Sequence, residues 1–300
     1  MSVKTVSLAT PYRWLAEAFA LCRAHPRVVF GAASLLMVFA LLPTLLQLLL
    51  EAALQPSLTM RLGIQIVFSV IGLFLLPPVV GGFYRVLHAL SEGRPAQAKD
   101  VLAVFAEAST ARRLIATNLM FMLVSVLVVI ALGLAFGGKG LLDFFATLAA
   151  RAPGSTALPP PLPPGVLPLL STLMIAFMVI STAQTVASAQ IALSSRAPLS
   201  AIGDGFQVAL RNIGAFLLFY LPMALIGSVL MLIVGLIAAL LAALFAMLSK
   251  VLAVLVLVPL VLGLMLLLYA LMLGFFYRAW RDTLGGDSVA PAEPQHQIAV

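Results

Sequence analysis

Six stretches of this chain are too long and too apolar to fold as anything but membrane-spanning helices. They cover residues 28–50, 62–84, 114–136, 167–193, 213–236 and 251–277. A spanning helix needs ~20 consecutive apolar residues, whereas a buried helix of a soluble domain shows runs of about 10–14. In hydrocarbon each backbone N–H and C=O must find its partner within the protein, which favours the α-helix for separate runs of this kind. Charged residues make up only 9% of the chain, against roughly 25% in a soluble domain. The expected fold class is all-α: a polytopic transmembrane helical bundle with short amphipathic helices on the cytoplasmic side. Residues 1–284 read as one membrane domain, and residues 285–300 as a disordered polar tail. Apolar sequence continues past the fifth span from Ile237 to Leu248. That excess is either a longer, tilted helix or a segment lying at the interface.

The basic residues orient the bundle. With the N-terminus inside, Arg61, Lys139, Arg151 and Lys250 fall outside, and every other member of the seventeen Lys and Arg falls inside. Cytoplasmic loops retain Lys and Arg, so both termini are expected in the cytoplasm, with the first span an uncleaved anchor. A formal net charge of +7 would suggest nucleic acid for a soluble protein. Here the charge borders the bilayer, where anionic headgroups attract each basic residue by about 1 kcal/mol. Headgroup contact is expected at Trp14, Arg23, Arg27, Arg112, Arg113 and Arg211, and no nucleic-acid partner is expected. The single Cys22 leaves no intramolecular disulfide and no cysteine metal cluster.

Three segments on the inner side share a pattern. Thr10 as cap and Pro11 at the first helical position open a helix in which Trp14, Ala18, Leu21 and Cys22 line one face, with Phe19 beside them. That helix either lies in the interface with Trp14 at headgroup depth or packs on the ends of the bundle. Pro95 leads into a helix bearing Phe105, then Arg112 and Arg113. Pro198 leads into a helix bearing Phe206, then Arg211. Each Phe is expected to point inward. Three units, each an interfacial helix plus a helical hairpin, would account for the whole chain. The outer loop 137–166 carries a Pro-Pro-Pro-Leu-Pro-Pro run at 159–164, read as a stiff, extended spacer.

Chemistry is sparse. Ser181, Thr182, Gln184, Thr185, Ser188 and Gln190 crowd the fourth span, and Ser181, Gln184 and Ser188 share a helix face. They form either a polar lining for a substrate or interhelical hydrogen bonds worth ~0.6–2 kcal/mol each. Pro77 and Pro78, followed by Gly81 and Gly82, are expected to kink or break the second span. Broken helices in transporters expose backbone groups that bind substrate, so Pro77 and Gly81 join Ser181, Gln184 and Ser188 as candidate substrate contacts. Gly235, Ala239 and Ala243 form a small-residue ridge read as packing. His88 and Glu92 are four apart and read as an exposed pair rather than a metal site. With no phosphate loop, nucleophile elbow or metalloprotease helix, neither an enzyme nor a cofactor is expected.

Several of these segments together resemble the BPSS-type family of uncharacterised polytopic proteobacterial inner-membrane proteins. The resemblance lies in Trp14-Leu15, His25-Pro26, Leu76-Pro77-Pro78-Val79-Val80-Gly81-Gly82 and Glu92-Gly93-Arg94. It continues through the Phe105 helix, Ala197-Pro198-Leu199-Ser200-Ala201 and Leu210-Arg211-Asn212-Ile213-Gly214-Ala215-Phe216. The Pro-rich outer loop departs from the family pattern. The resemblance implies a bacterial inner-membrane protein and supplies no catalytic residues. The expected role is that of a non-enzymatic scaffold, accessory or envelope-homeostasis factor, touching anionic lipid and a membrane-protein partner or a second copy of itself. The alternative is a carrier or binder of a small or lipidic substrate, using the polar face of span four.

Overall fold

The computed structural model describes residues 3–150, 161–248 and 250–285. Its elements, in chain order, are α1 (Thr10–Ala24), α2 (Pro26–Leu54), α3 (Leu58–Ser91), a 3-10 helix (Ala98–Ala106) and α4 (Ala108–Leu132). A π turn (Gly133–Gly137), α5 (Gly138–Ala149), α6 (Val166–Ser194), α7 (Pro198–Arg211), α8 (Ile213–Leu248) and α9 (Lys250–Thr283) follow. Six of the helices, α2, α3, α4, α6, α8 and α9, are long and apolar enough to cross a membrane. The chain is therefore an all-α polytopic bundle, with one long helix at each of the six expected spans.

Three local readings change. The outer loop contains α5, a helix in which Phe144 and Leu148, four apart, share a face. Of the proline run, residues 161–163 form neither helix nor strand; residues 159–160 and the tail beyond Gly285 lie outside the described residues. The apolar excess after span five belongs to α8, which runs 36 residues without interruption. Nor does α3 break, since it carries Pro77 and Pro78 inside a continuous helix.

The short elements explain how the long helices assemble. Each precedes a pair of long helices, and each docks on the second long helix of the preceding pair. The 3-10 helix lies on α3, α7 lies on α6, and α1 lies on α9, which closes the ring. Every docking is a close backbone approach. A Cβ on Gly82 of α3 would sit 1.8 Å from the Val101 carbonyl oxygen, and one on Gly205 of α7 would sit 2.3 Å from that of Ala183. A Cβ on Gly274 of α9 would sit 2.9 Å from the Ala18 Cβ. These are the spacings that small residues permit between membrane helices.

Two of the three joints share a sequence. Gly81-Gly82-Phe83-Tyr84-Arg85 on α3 matches Gly274-Phe275-Phe276-Tyr277-Arg278 on α9. In both, the arginine reaches a glutamate beside the docked element: Arg85 to Glu107 at 2.6 Å and Arg278 to Glu17 at 3.5 Å. The joint on α6 departs from this, with Arg196 and Asp204 paired at 3.2 Å beside α7. The middle unit departs too, in having a 3-10 helix where the others have α-helices and in the insertion of α5.

Docking on α9 overturns the interfacial reading of Trp14. Its side chain is fully buried, its indole Nε1 donates to Asp282 Oδ2 at 2.8 Å, and its ring packs on Phe216 and Phe275. The face of α1 that spacing alone assigns to lipid or protein goes to protein. Phe19 is 52% exposed and Phe105 40% exposed, so neither points fully inward, although Phe105 stacks on Phe39. Ala9, not Thr10, is the cap residue of α1. A strap before α1 closes the ring further: Lys4 N donates to Thr283 O at 3.1 Å, and Val6 N to the buried Asn212 Oδ1 at 2.8 Å. The two ends of the described chain thus meet on one face, called here the terminal face.

Candidate functional site

The polar residues of span four become meaningful through what faces them. Gln184 and Ser188 lie on successive turns of α6, toward α3 and α4. There they line a cavity of about 320 Å3 with Asn118 of α4 and with Ser69, Leu76 and Pro77 of α3. The helices that enclose it all belong to the membrane-spanning set. Gln184 Nε2 donates to Asn118 Oδ1 at 2.7 Å. A carboxamide offers two N–H donors and a two-lone-pair oxygen, so this one bond leaves Asn118 Nδ2 and Gln184 Oε1 with capacity to spare. Both residues are part-buried and line the cavity. Ser188 Oγ donates back to the Gln184 carbonyl at 2.8 Å, which leaves its lone pairs as acceptors.

The cavity opens sideways. Ser69 is exposed on the outside of the bundle, as are its neighbours Ile66, Val70 and Phe74. At about 320 Å3 the cavity is at the small end of ligand sites, which run from ~300 to ~1,000 Å3. Its uncharged donors and acceptors suit hydroxyl, carbonyl or amide groups rather than a bare ion. A larger hollow of about 820 Å3 lies on the terminal face among Lys4, Arg13, Glu92, Arg281 and Asp282. Its rim carries both signs of charge, and Asp282 is already bound by Arg13 and Trp14.

The five expected substrate contacts separate. Pro77, Gln184 and Ser188 meet in the cavity. Ser181 shares their helix face, but it lines an apolar groove with Met178, Leu217 and Tyr220 instead. Ser181 and Ser188 are two turns apart, about 10.5 Å of rise, and over that rise the neighbour of α6 changes from α3 to α8. Gly81 does not expose its backbone. A Cβ there would lie 2.5 Å from Leu114 Cδ1 and 3.5 Å from the Ala192 Cβ, so Leu114 fills the space. Asn118 and Ser69 are the contacts that spacing missed. A lone carboxamide in the apolar run 114–136 was the available signal, because an amide in hydrocarbon needs a partner.

Of the expected headgroup contacts, Arg23, Arg27, Arg112, Arg113 and Arg211 are exposed at helix ends on the terminal face. Arg113 also donates to the Ser195 carbonyl at 2.6 Å, and Arg211 to the Val3 carbonyl at 3.3 Å. His88 and Glu92 pair at 3.1 Å; Glu92 is exposed, whereas His88 is half-buried, with its Nδ1 3.0 Å from the Tyr277 hydroxyl.

Toward the terminal face the same three helices are clasped together. Arg85 of α3 gives two parallel hydrogen bonds to Glu107, at 2.6 and 2.8 Å, and a third to the Ala192 carbonyl of α6 at 2.9 Å. Thr110 Oγ1 adds a bond to the same carboxylate at 3.1 Å. Hydrogen bonding from Arg85 holds the Glu107 carboxyl below its ordinary value of 4.5. A depressed carboxylate contributes stability that is complete above the unfolded-state value and lost as pH falls through the folded-state value. Glu107→Gln should therefore lower the thermal midpoint at pH 7, and the gap to the unsubstituted protein should close as pH drops below about 4.5. A gap that stays constant down to that range would show that the bidentate pair adds nothing.

No family model, no curated protein and no solved structure matches this chain.

Proposed function

We propose that the protein binds the polar headgroup of an amphiphilic, lipid-like molecule in the cavity between α3, α4 and α6. The bound molecule's apolar part stays in the bilayer. The observation that carries this reading is the pairing of Asn118 with Gln184 in a cavity that opens toward lipid at Ser69. A wholly structural amide pair would be packed over; this one retains free donors and acceptors beside open volume. We further propose a bacterial inner membrane as its site, with the terminal face in the cytoplasm. The excess of basic residues on that face supports the orientation, and the family resemblance supports the compartment. Arg23, Arg27, Arg112, Arg113 and Arg211 hold the terminal face against anionic headgroups.

Native mass spectrometry of the protein released from native-lipid nanodiscs tests the reading. One lipid-like species should remain bound, and Gln184→Ala with Ser188→Ala should reduce its retention tenfold or more, about 1.4 kcal/mol. Equal retention in the double variant would sink the proposal. The second reading, a scaffold or accessory subunit, is favoured by the ridge Gly235, Ala239 and Ala243. All three are exposed, and nothing described lies within 4 Å of a Cβ on Gly235. That reading expects a stoichiometric second polypeptide, or a bare oligomer carrying only bulk lipid.

A further inference from the structure

The cavity does not end blindly. Three stripes run from it toward the terminal face: Pro77, Gly81 and Arg85 on α3; Gln184, Ser188 and Ala192 on α6; Asn118, Leu114, Ala111 and Glu107 down α4 to its cap. Steps of three or four residues keep each stripe on one helix face. The three faces meet along one seam. Below the cavity on this seam lies a second hollow of about 450 Å3, lined by Arg85, His88, Arg94, Asp100, Ala192 and Ser195. Between Ser188 and Ala192 there is a single helical turn, about 6 Å.

What separates the two hollows is one layer of side chains. Leu114 is 1% exposed and Ala192 4% exposed, and both press on the bare Cα of Gly81. Arg85 straddles this layer from below, holding Glu107 at the head of α4 and the Ala192 carbonyl of α6 at once. Of the three residues in that layer, Gly81, Leu114 and Ala192, only Leu114 carries a bulky side chain. Leucine has alternative staggered rotamers, and the Glu107 side of the clasp is half exposed, so water or a competing anion can reach the carboxylate.

We propose that Leu114 is a plug and the Arg85–Glu107–Ala192 clasp its latch, so that the polar cavity is loaded from the cytoplasmic hollow when the clasp releases. The inference rests on the headgroup-binding reading and adds a route and a ligand class to it. Arg85 and Arg94 line the hollow beside Asp100, each paired with a glutamate, Glu107 and Glu92; release of the clasp frees Arg85 to hold an anionic group, while the cavity beyond offers only neutral hydrogen bonds. The molecule that travels the seam therefore carries a phosphate or carboxylate next to hydroxyl or amide functions. Its source is either an inner-leaflet lipid or a free solute.

Single-cysteine labelling in inside-out membrane vesicles tests the plug, in a Cys22→Ala background that removes the protein's sole thiol. A membrane-impermeant maleimide should modify Ser195→Cys quickly in every background, because Ser195 lines the cytoplasmic hollow. Ser188→Cys should react slowly with Leu114 in place, and tenfold or more faster with Leu114→Ala or with Arg85→Gln. Leu114→Met, which refills the space, should restore slow labelling. Equal rates at Ser188→Cys in the Leu114→Ala and parent backgrounds, with Ser195→Cys still reactive, would overturn the plug. Leu114→Val serves the same comparison if the alanine variant does not yield folded protein. Loss of the plug result leaves the retained species in the nanodisc measurement untouched, so the two ideas fail separately. Added glycerol phosphate protecting Ser188→Cys in the Leu114→Ala background would point to a free solute. Protection only by vesicles enriched in anionic phospholipid would point to a lipid. Protection by neither would overturn the assigned anionic class.

Discussion

Gly82→Ala is expected to cost about 3 kcal/mol or more and to abolish a sharp unfolding transition in detergent. An added Cβ at this position would fall 1.8 Å from the Val101 oxygen, 2.6 Å from its carbonyl carbon and 2.9 Å from its Cα. All three atoms are backbone, so no side-chain rotation relieves the overlap, and the 3-10 helix must lift off α3. Overpacking usually costs ~1–3 kcal/mol when the surroundings can yield, and here they cannot. The matched control is Gly63→Ala, nineteen residues earlier on the same helix, where nothing lies within 4 Å of the new Cβ. That change should be neutral or should stabilise by up to ~1 kcal/mol through helix propensity. Midpoints measured for both proteins decide the matter. If the two glycine variants unfold alike, the close docking of the 3-10 helix is not a stabilising contact.

Trp14→Ala should have an effect of similar size, about 3–5 kcal/mol. It removes the largest side chain of α1 from a fully buried position between Phe216 and Phe275, and it leaves Asp282 with Arg13 alone. Trp14→Phe keeps most of the packing and loses only the indole donor. Its cost should be near the ~1.5–3 kcal/mol of a hydrogen bond to a charged group. Reversible unfolding in mixed detergent, with Trp280 as the remaining tryptophan reporter, separates the two losses. A Trp14→Ala protein within 1 kcal/mol of the parent would mean that the ring of units holds without its α1–α9 joint.

These two residues also mark how far the sequence could be read. The spacing of Trp14, Ala18, Leu21 and Cys22 defines a helix face without saying what covers it, because lipid headgroups and a neighbouring helix select the same residues. The face is settled by Gly274 of α9, more than two hundred residues away. Gly81 and Gly82 were legible as weak points in a helix. Helix propensity cannot show that one receives a leucine and the other a carbonyl oxygen, since both contacts come from distant parts of the chain. The candidate site was half visible. Gln184 and Ser188 stand out as a polar face, whereas Asn118 reads as an isolated irregularity until α4 is placed against α6. The six spans were legible because membrane crossing is a property of local length and composition.

The uninterrupted α8 has a mechanical consequence. Its 36 residues at ~1.5 Å each extend about 54 Å, and residues 213–248 contain no charged side chain. A hydrocarbon layer is about 30 Å thick, and even a 40° tilt, the upper end of the observed range, would bring only about 41 Å of helix length down to the membrane normal. The difference cannot be hidden by tilting. The bilayer must swell around the α8–α9 hairpin, or the hairpin tip must stand beyond it in an apolar sheath of its own. Membrane thickness therefore becomes a variable that this protein feels, and thicker bilayers relieve a strain that thinner ones impose.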